Sequence, residues 1–136
     1  MHVLDSLNVS LDLGLDVATW VREELVDGLV VGTGYTPYTV PMDEWLTLGR
    51  SAKIPVYPSV NTNTYIDWSR QLERETHHEG IAATCAYCWH AGADGCYLFN
   101  VFCLADKSLG NRTAEYVYAP WTVGGEPRTL IGKDKL

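Results

Sequence analysis

Glu79–Asn100, EGIAATCAYCWHAGADGCYLFN, decides the fold. Ala82, Ala83, Ala86 and His90 are spaced to put small residues on one face, so Glu79 to Ala91 predicts a helix that can lie close to a sheet. Gly92-Ala93-Asp94-Gly95 marks a tight turn. Cys96-Tyr97-Leu98-Phe99 is an unbroken apolar, aromatic-rich run, which predicts a strand covered on both faces and ending at Asn100. A helix feeding through a turn into a buried strand is one αβ step of a parallel sheet.

The same step recurs on either side. His2-Val3-Leu4-Asp5 reads as the tail of a strand, and Asn8 to Gly14 as a connection. Asp16 predicts a helix N-cap, followed by Val17, Trp20, Val21, Glu24 and Leu25 at helical spacing and a break at Asp27-Gly28. Leu29 to Gly32 is a compact strand, and Thr33 to Pro41 is a Gly/Pro/Thr/Tyr loop of the kind that carries function on α/β scaffolds. Pro41-Met42-Asp43-Glu44 opens a helix to about Ala52, with acids where the helix dipole favours them. Ile54 to Val60 is strand-like, but Pro55 and Pro58 each remove a ladder donor, so irregular pairing or a bulge is expected. Ile66 to Glu75 reads as a short helix, Ala114 to Val123 carries no decisive pattern, and Glu126 to Leu130 begins a last helix.

Strand and helix therefore alternate, which predicts an all-parallel sheet with right-handed crossovers. Repeats of about thirty residues suit the βα units of a barrel, whose ligand loops follow the C-terminal ends of the strands. The expected class is α/β: a partial (half) TIM barrel with about four parallel βα units, or a small open α/β sheet.

Composition narrows the partners. A chain of 136 residues supports one domain, and a net charge of -7 without a Lys/Arg cluster argues against nucleic acid and anionic membranes. No apolar run is long enough to span a bilayer, and Met1-His2-Val3-Leu4 lacks the pattern of a signal peptide. Five Trp and eight Tyr are many for this length, and some are expected on a surface where a ligand packs.

Three segments resemble a known group. Gly14-Leu15-Asp16-Val17-x-x-Trp20-Val21-x-x-x-Leu25-Val26-Asp27, Trp89-His90-Ala91-Gly92-Ala93-Asp94-Gly95-x-Tyr97-Leu98-Phe99-Asn100 and Leu130-x-Gly132-Lys133-Asp134-Lys135-Leu136 are similar to bacterial proteins of the family 10 glycosyl-hydrolase-like group. The resemblance implies that residues 1–136 are a single incomplete (β/α) barrel domain made of the last four βα units, with carbohydrate as the ligand. It also implies open barrel edges through which two copies could pair as a homodimer.

Glycoside hydrolysis uses two carboxyl groups flanking the scissile bond. The strand ends here offer Asp5, Gly32-Thr33-Gly34-Tyr35, Asn61 and Asn100, so Asp5 is the only acid and the catalytic candidate. A carboxylate near a chain terminus is more often simply solvated. Tyr35, Tyr38, Asn61, Trp68 and Asn100 are candidate substrate-binding residues: rings to stack on a sugar and amides to bond its hydroxyls. Each has a plainer reading. The tyrosines can pack a loop, the asparagines can cap turns, and Trp68 can sit in a helix core.

Cys85-x-x-Cys88 invites a metal or redox reading, but no second such pair exists. Cys96 and Cys103 would join it only if helix and strand converge, so two small core residues sharing a helix face is the favoured reading. His77-His78 and His90 likewise lack partners in the sequence, and no metal or cofactor is expected. Asn8-Val9-Ser10 and Asn111-Arg112-Thr113 match the glycosylation sequon, which matters only in a secretory eukaryotic setting. Three functions follow: a glycoside-hydrolase-like barrel, a non-catalytic carbohydrate-binding or degenerate barrel, and a small α/β thiol or metal protein using Cys85 and Cys88.

Overall fold

The computed structural model describes residues 1–32, 41–61, 66–67, 72–73, 77–100 and 113–131. In chain order the elements are β1 (His2–Val3), α1 (Leu7–Asp12), α2 (Val17–Arg22), β2 (Leu29–Val31), α3 (Met42–Ala52) and β3 (Val56–Asn61). They continue with β4 (Ile66–Asp67), β5 (Leu72–Glu73), α4 (His77–Ala91), β6 (Tyr97–Phe99), α5 (Ala114–Gly124) and a short 3₁₀ helix, Pro127–Leu130.

β1, β2, β3 and β6 form one all-parallel sheet in that spatial order. Each strand lies beside the one before it, without the reversal that marks a doubly wound sheet; this is the order of consecutive βα units in a barrel. The expected partial α/β barrel of four parallel strands is the observed architecture.

Register assigns the two faces. His2, Val30 and Tyr57 are partners across the first three strands, as are Ser59 with Tyr97 and Asn61 with Phe99. With alternation along each strand, these residues share one face, and Val3, Leu29, Val31, Val56, Pro58 and Val60 share the other. The second face is buried against Val17, Val21, Trp45, Leu46, Ile81 and Cys85 of the helices. α3 can lie close because Gly49 has no side chain: an added Cβ would overlap a methyl of Val56 and sit 3.0 Å from the Ile54 carbonyl oxygen.

The first face is concave. Four strands spaced about 4.8 Å apart put the outer two roughly 14 Å from each other in a flat sheet. Yet the ring of His2 on β1 is 5.5 Å from that of Tyr97 and 5.7 Å from that of Phe99, both on β6. Only a sheet curled toward this face brings the side chains of its two edge strands into contact.

Several sequence expectations are corrected. Asn8 to Gly14 is largely helix: Ser6 caps α1 by accepting from the Val9 N–H, and Ser10 donates its hydroxyl to the Ser6 carbonyl. Its apolar residues Leu7, Val9, Leu11 and Leu13 alternate instead of forming a helical stripe, which hid it. Ile66 to Glu75 holds the antiparallel pair β4–β5, with Ile66 opposite Glu73; Ile66 and Leu72, six apart, make no helical stripe. Ala114 to Gly124 is helix α5 despite Pro120 inside it. Pro55 precedes β3, and Pro58 within it causes no break. Pro58 is the last partner of β2 and Ser59 the first partner of β6, so the missing donor falls where the strand changes neighbour. β6 is not covered on both sides: Tyr97 and Leu98 keep 43% and 39% of their surface. On α4 the buried line is Ile81, Cys85 and Cys88, while Ala83 and Ala86 are half-buried and His90 is exposed.

Candidate functional site

The C-terminal ends of the four parallel strands lie along one edge of the concave face. Asp5 follows β1 and is half-buried. Its carbonyl accepts a 3.0 Å bond from Trp45 Nε1, and the nearby Leu7 N–H donates to Glu44 Oε1 at 2.9 Å. The loop after β1 is thereby pinned to the first turn of α3, and Glu44 is committed to holding the start of α1.

At the end of β3, Ser59 and Asn61 point into the concave face, each only 6% exposed. Ser59 Oγ is buried and has no hydrogen-bond partner among the described residues. A buried hydroxyl without a partner costs about 1–3 kcal/mol relative to one that is bonded, so a group of matching polarity is favoured beside it. Asn61 pairs in register with Phe99, the residue before Asn100. Asn100 is exposed and left-handed, with φ 51°, a conformation asparagine tolerates, so its backbone role is to turn the chain out of β6. Tyr35, Tyr38 and Trp68 lie outside the described residues.

Rings flank these polar groups. Tyr97 and Tyr57, 43% and 36% exposed, stand on the same face as Ser59 and Asn61, together with Phe99 and His2. His2 Nε2 is 2.5 Å from the Gly32 carbonyl oxygen. A carbonyl only accepts, so Nε2 carries the proton and Nδ1 is the acceptor in the neutral ring. The described tryptophans serve packing: Trp45 is fully buried, and Trp89 donates to the Gly124 carbonyl at 2.9 Å.

Sequence reasoning named Asp5, Asn61 and Asn100 at the strand ends and did not single out His2, Ser59, Tyr97 and Phe99, which stand on the concave face. The signal for Ser59 was present. Val56-Tyr57-Pro58-Ser59-Val60-Asn61 alternates apolar and polar, the mark of a strand with only one face against helices.

A groove of about 420 Å³ lies elsewhere, lined by Arg50, Lys53, Gly92 and Asp94 among others. It is at the N-terminal end of β3, where Asp94 Oδ2 accepts from the Val56 N–H at 2.9 Å and the Asp94 N–H donates back to the Val56 carbonyl. That end of a βα sheet carries loops that hold the fold together.

Cys85 and Cys88 are buried core residues of α4, in line with the sequence reading of two small core residues on one helix face. Cys96, just before β6, is half-buried and packs against the same core. Burial raises the Cys85 and Cys88 thiols. Among the described residues no group of three His, Cys, Asp or Glu side chains is placed to hold a metal ion. No described helix is long and apolar enough to cross a membrane.

No protein-family model matches the chain, and no curated protein shows significant similarity to it.

Proposed function

We propose that the concave face of the sheet, at the C-terminal ends of β3 and β6, binds a carbohydrate. The observation that carries this reading is the buried, unpartnered hydroxyl of Ser59 beside buried Asn61, with the partly exposed ring of Tyr97 on the same face. Hydroxyl and amide groups match the vicinal hydroxyls of a sugar, and aromatic faces match its C–H surface. The segment-level likeness to glycosyl-hydrolase-like barrels points the same way.

Binding is favoured over hydrolysis. Asp5 is the one acid among the described residues at the C-terminal ends of the four parallel strands, and Glu44 on α3 is engaged with the Leu7 N–H. Acid catalysis with a paired nucleophile or base needs a second carboxyl group about 5–9.5 Å from the first. The hydrolytic reading therefore assigns Asp5 one role and requires a partner carboxylate beyond those described. The exposed ring of Tyr97 and side chain of Leu98 on edge strand β6 also suit pairing with a second copy, which light scattering would register as a doubled mass.

Saturation-transfer NMR against a panel of hexoses and linear α- and β-linked gluco-oligosaccharides, run beside a reducing-end assay, tests the reading. Transfer to a saccharide without new reducing ends supports a binding protein; new reducing ends lost in Asp5→Asn support hydrolysis; neither signal for any saccharide refutes both.

A further inference from the structure

Among the described residues, the sheet and the helices outside it end together at two open edges. In the sheet these edges are β1 and β6. In the outer layer α2 packs on α3, α3 on α4 and α4 on α5, so α2, with α1 beside it, ends the layer on one side and α5 ends it on the other. At β6 the apolar layer runs past its own cover. Val60 and Leu98 are register partners on the helix-facing side, yet Val60 is 2% exposed and Leu98 39%. Tyr116 and Tyr118 of α5, and Leu25 just beyond α2, are exposed as well.

The curl sets how many strands close the ring. Eight strands enclose an interior just wide enough for side chains to fill. The rings of His2 and Tyr97, from the two edge strands, already meet at 5.5 Å across the concave face, so four strands have turned through roughly half of such a ring.

We propose, building on the pairing noted for β6, that a second copy of this chain supplies the other half: β6 of each copy pairs with β1 of its partner, and eight strands close around one two-fold axis. An axis along the barrel keeps every strand pointing the same way, so each new seam is parallel, as β1–β2 is. The interface is head-to-tail, and a half-ring taken twice closes it instead of extending it into a filament. Pairing β6 with a second β6 would run antiparallel and leave both β1 edges bare. Closure also sets α5 of each copy beside α2 of the other, which gives Leu98 the cover it lacks within one chain. The strand ends of both copies then ring one mouth, and the partner's Asp5 brings a second strand-end carboxyl group to it. That last consequence rests on the carbohydrate reading; the closure does not.

The test needs no saccharide. Light scattering over a dilution series is combined with hydrogen exchange, read by mass spectrometry on peptides covering β1, β2 and β6, for wild type and Leu98→Glu. The expected results are a doubled mass for wild type, a single mass for Leu98→Glu, and faster exchange at both β1 and β6 of that variant with β2 unchanged. A wild-type monomer overturns pairing altogether and gives the open edges to another occupant. A doubled mass with exchange altered at β6 alone leaves pairing intact and overturns the closure. Masses above the dimer, or a dimer indifferent to Leu98→Glu, overturn it too. If Leu98→Glu fails to fold, wild type diluted to monomer supplies the same exchange comparison.

Discussion

The imidazole of His2 and the phenol ring of Tyr97 lie 5.5 Å apart at 54° although they stand on the two opposite edges of the four-stranded sheet. Two intervening strands separate their backbones, so the contact measures the curl of the sheet. It makes the face carrying Ser59 and Asn61 an interior and not a flat surface.

His2 therefore contributes to the curl. His2→Ala loses the ring contacts to Tyr97 and Phe99 and the bond to the Gly32 carbonyl. Because the residue is exposed overall, the expected loss is about 1 kcal/mol, read from urea denaturation midpoints. His2→Phe keeps the ring contacts and is expected to recover part of it.

Ser59 is expected to separate stability from binding. Removing a buried hydroxyl that lacks a partner among the described residues breaks no hydrogen bond with them. Ser59→Ala is accordingly expected to be neutral or stabilising by up to about 1 kcal/mol. Saccharide affinity is expected to fall in the same variant. A loss of stability without loss of binding would mean that the hydroxyl serves packing.

Gly49 tests the close approach of α3 to β3. Gly49→Ala places a methyl against Val56 where neither the helix nor the strand has room, and the expected cost is about 1–3 kcal/mol by thermal or urea unfolding. Gly14→Ala is a useful contrast: nothing stands within 4 Å of its added Cβ, and only its left-handed φ of 84° opposes the change.

Asp16 supplies a pH dependence. The Thr19 N–H, and then the Thr19 hydroxyl, donate to its carboxylate and hold its pKa below the usual range. A folded-state pKa lower than the unfolded one gives stability that is present above the unfolded pKa and lost as pH falls through the folded value. Wild-type stability is expected to drop on acidification below about pH 4 more steeply than that of Asp16→Asn, which keeps a cap but cannot titrate.

The alternation of elements was readable because each βα step carries its own punctuation. Asp16 as N-cap, Gly28 before β2, Pro41 before α3 and Gly92 after α4 are local signals, and local chemistry decides them. What was hidden depends on contacts between distant residues. Tyr97-Leu98-Phe99 has the composition of a buried strand, but its place at the sheet edge leaves it exposed. The packing of Cys96 against the core depends on how α4 lies on the sheet. Of the candidate site, Asn61 and Asn100 followed from strand ends, whereas His2 entered only through the curl.

Backbone amide shift mapping by ¹⁵N-resolved NMR, during titration with the gluco-oligosaccharide that gives the strongest saturation transfer, tests the central claim most directly. The account expects saturable shifts centred on Ser59, Asn61, Phe99 and Asn100, with His2 following and Ser59→Ala weakening the response. Shifts confined to Arg50, Lys53 and Gly92 at the opposite end of β3, or no saturable shifts on the concave face, would contradict it.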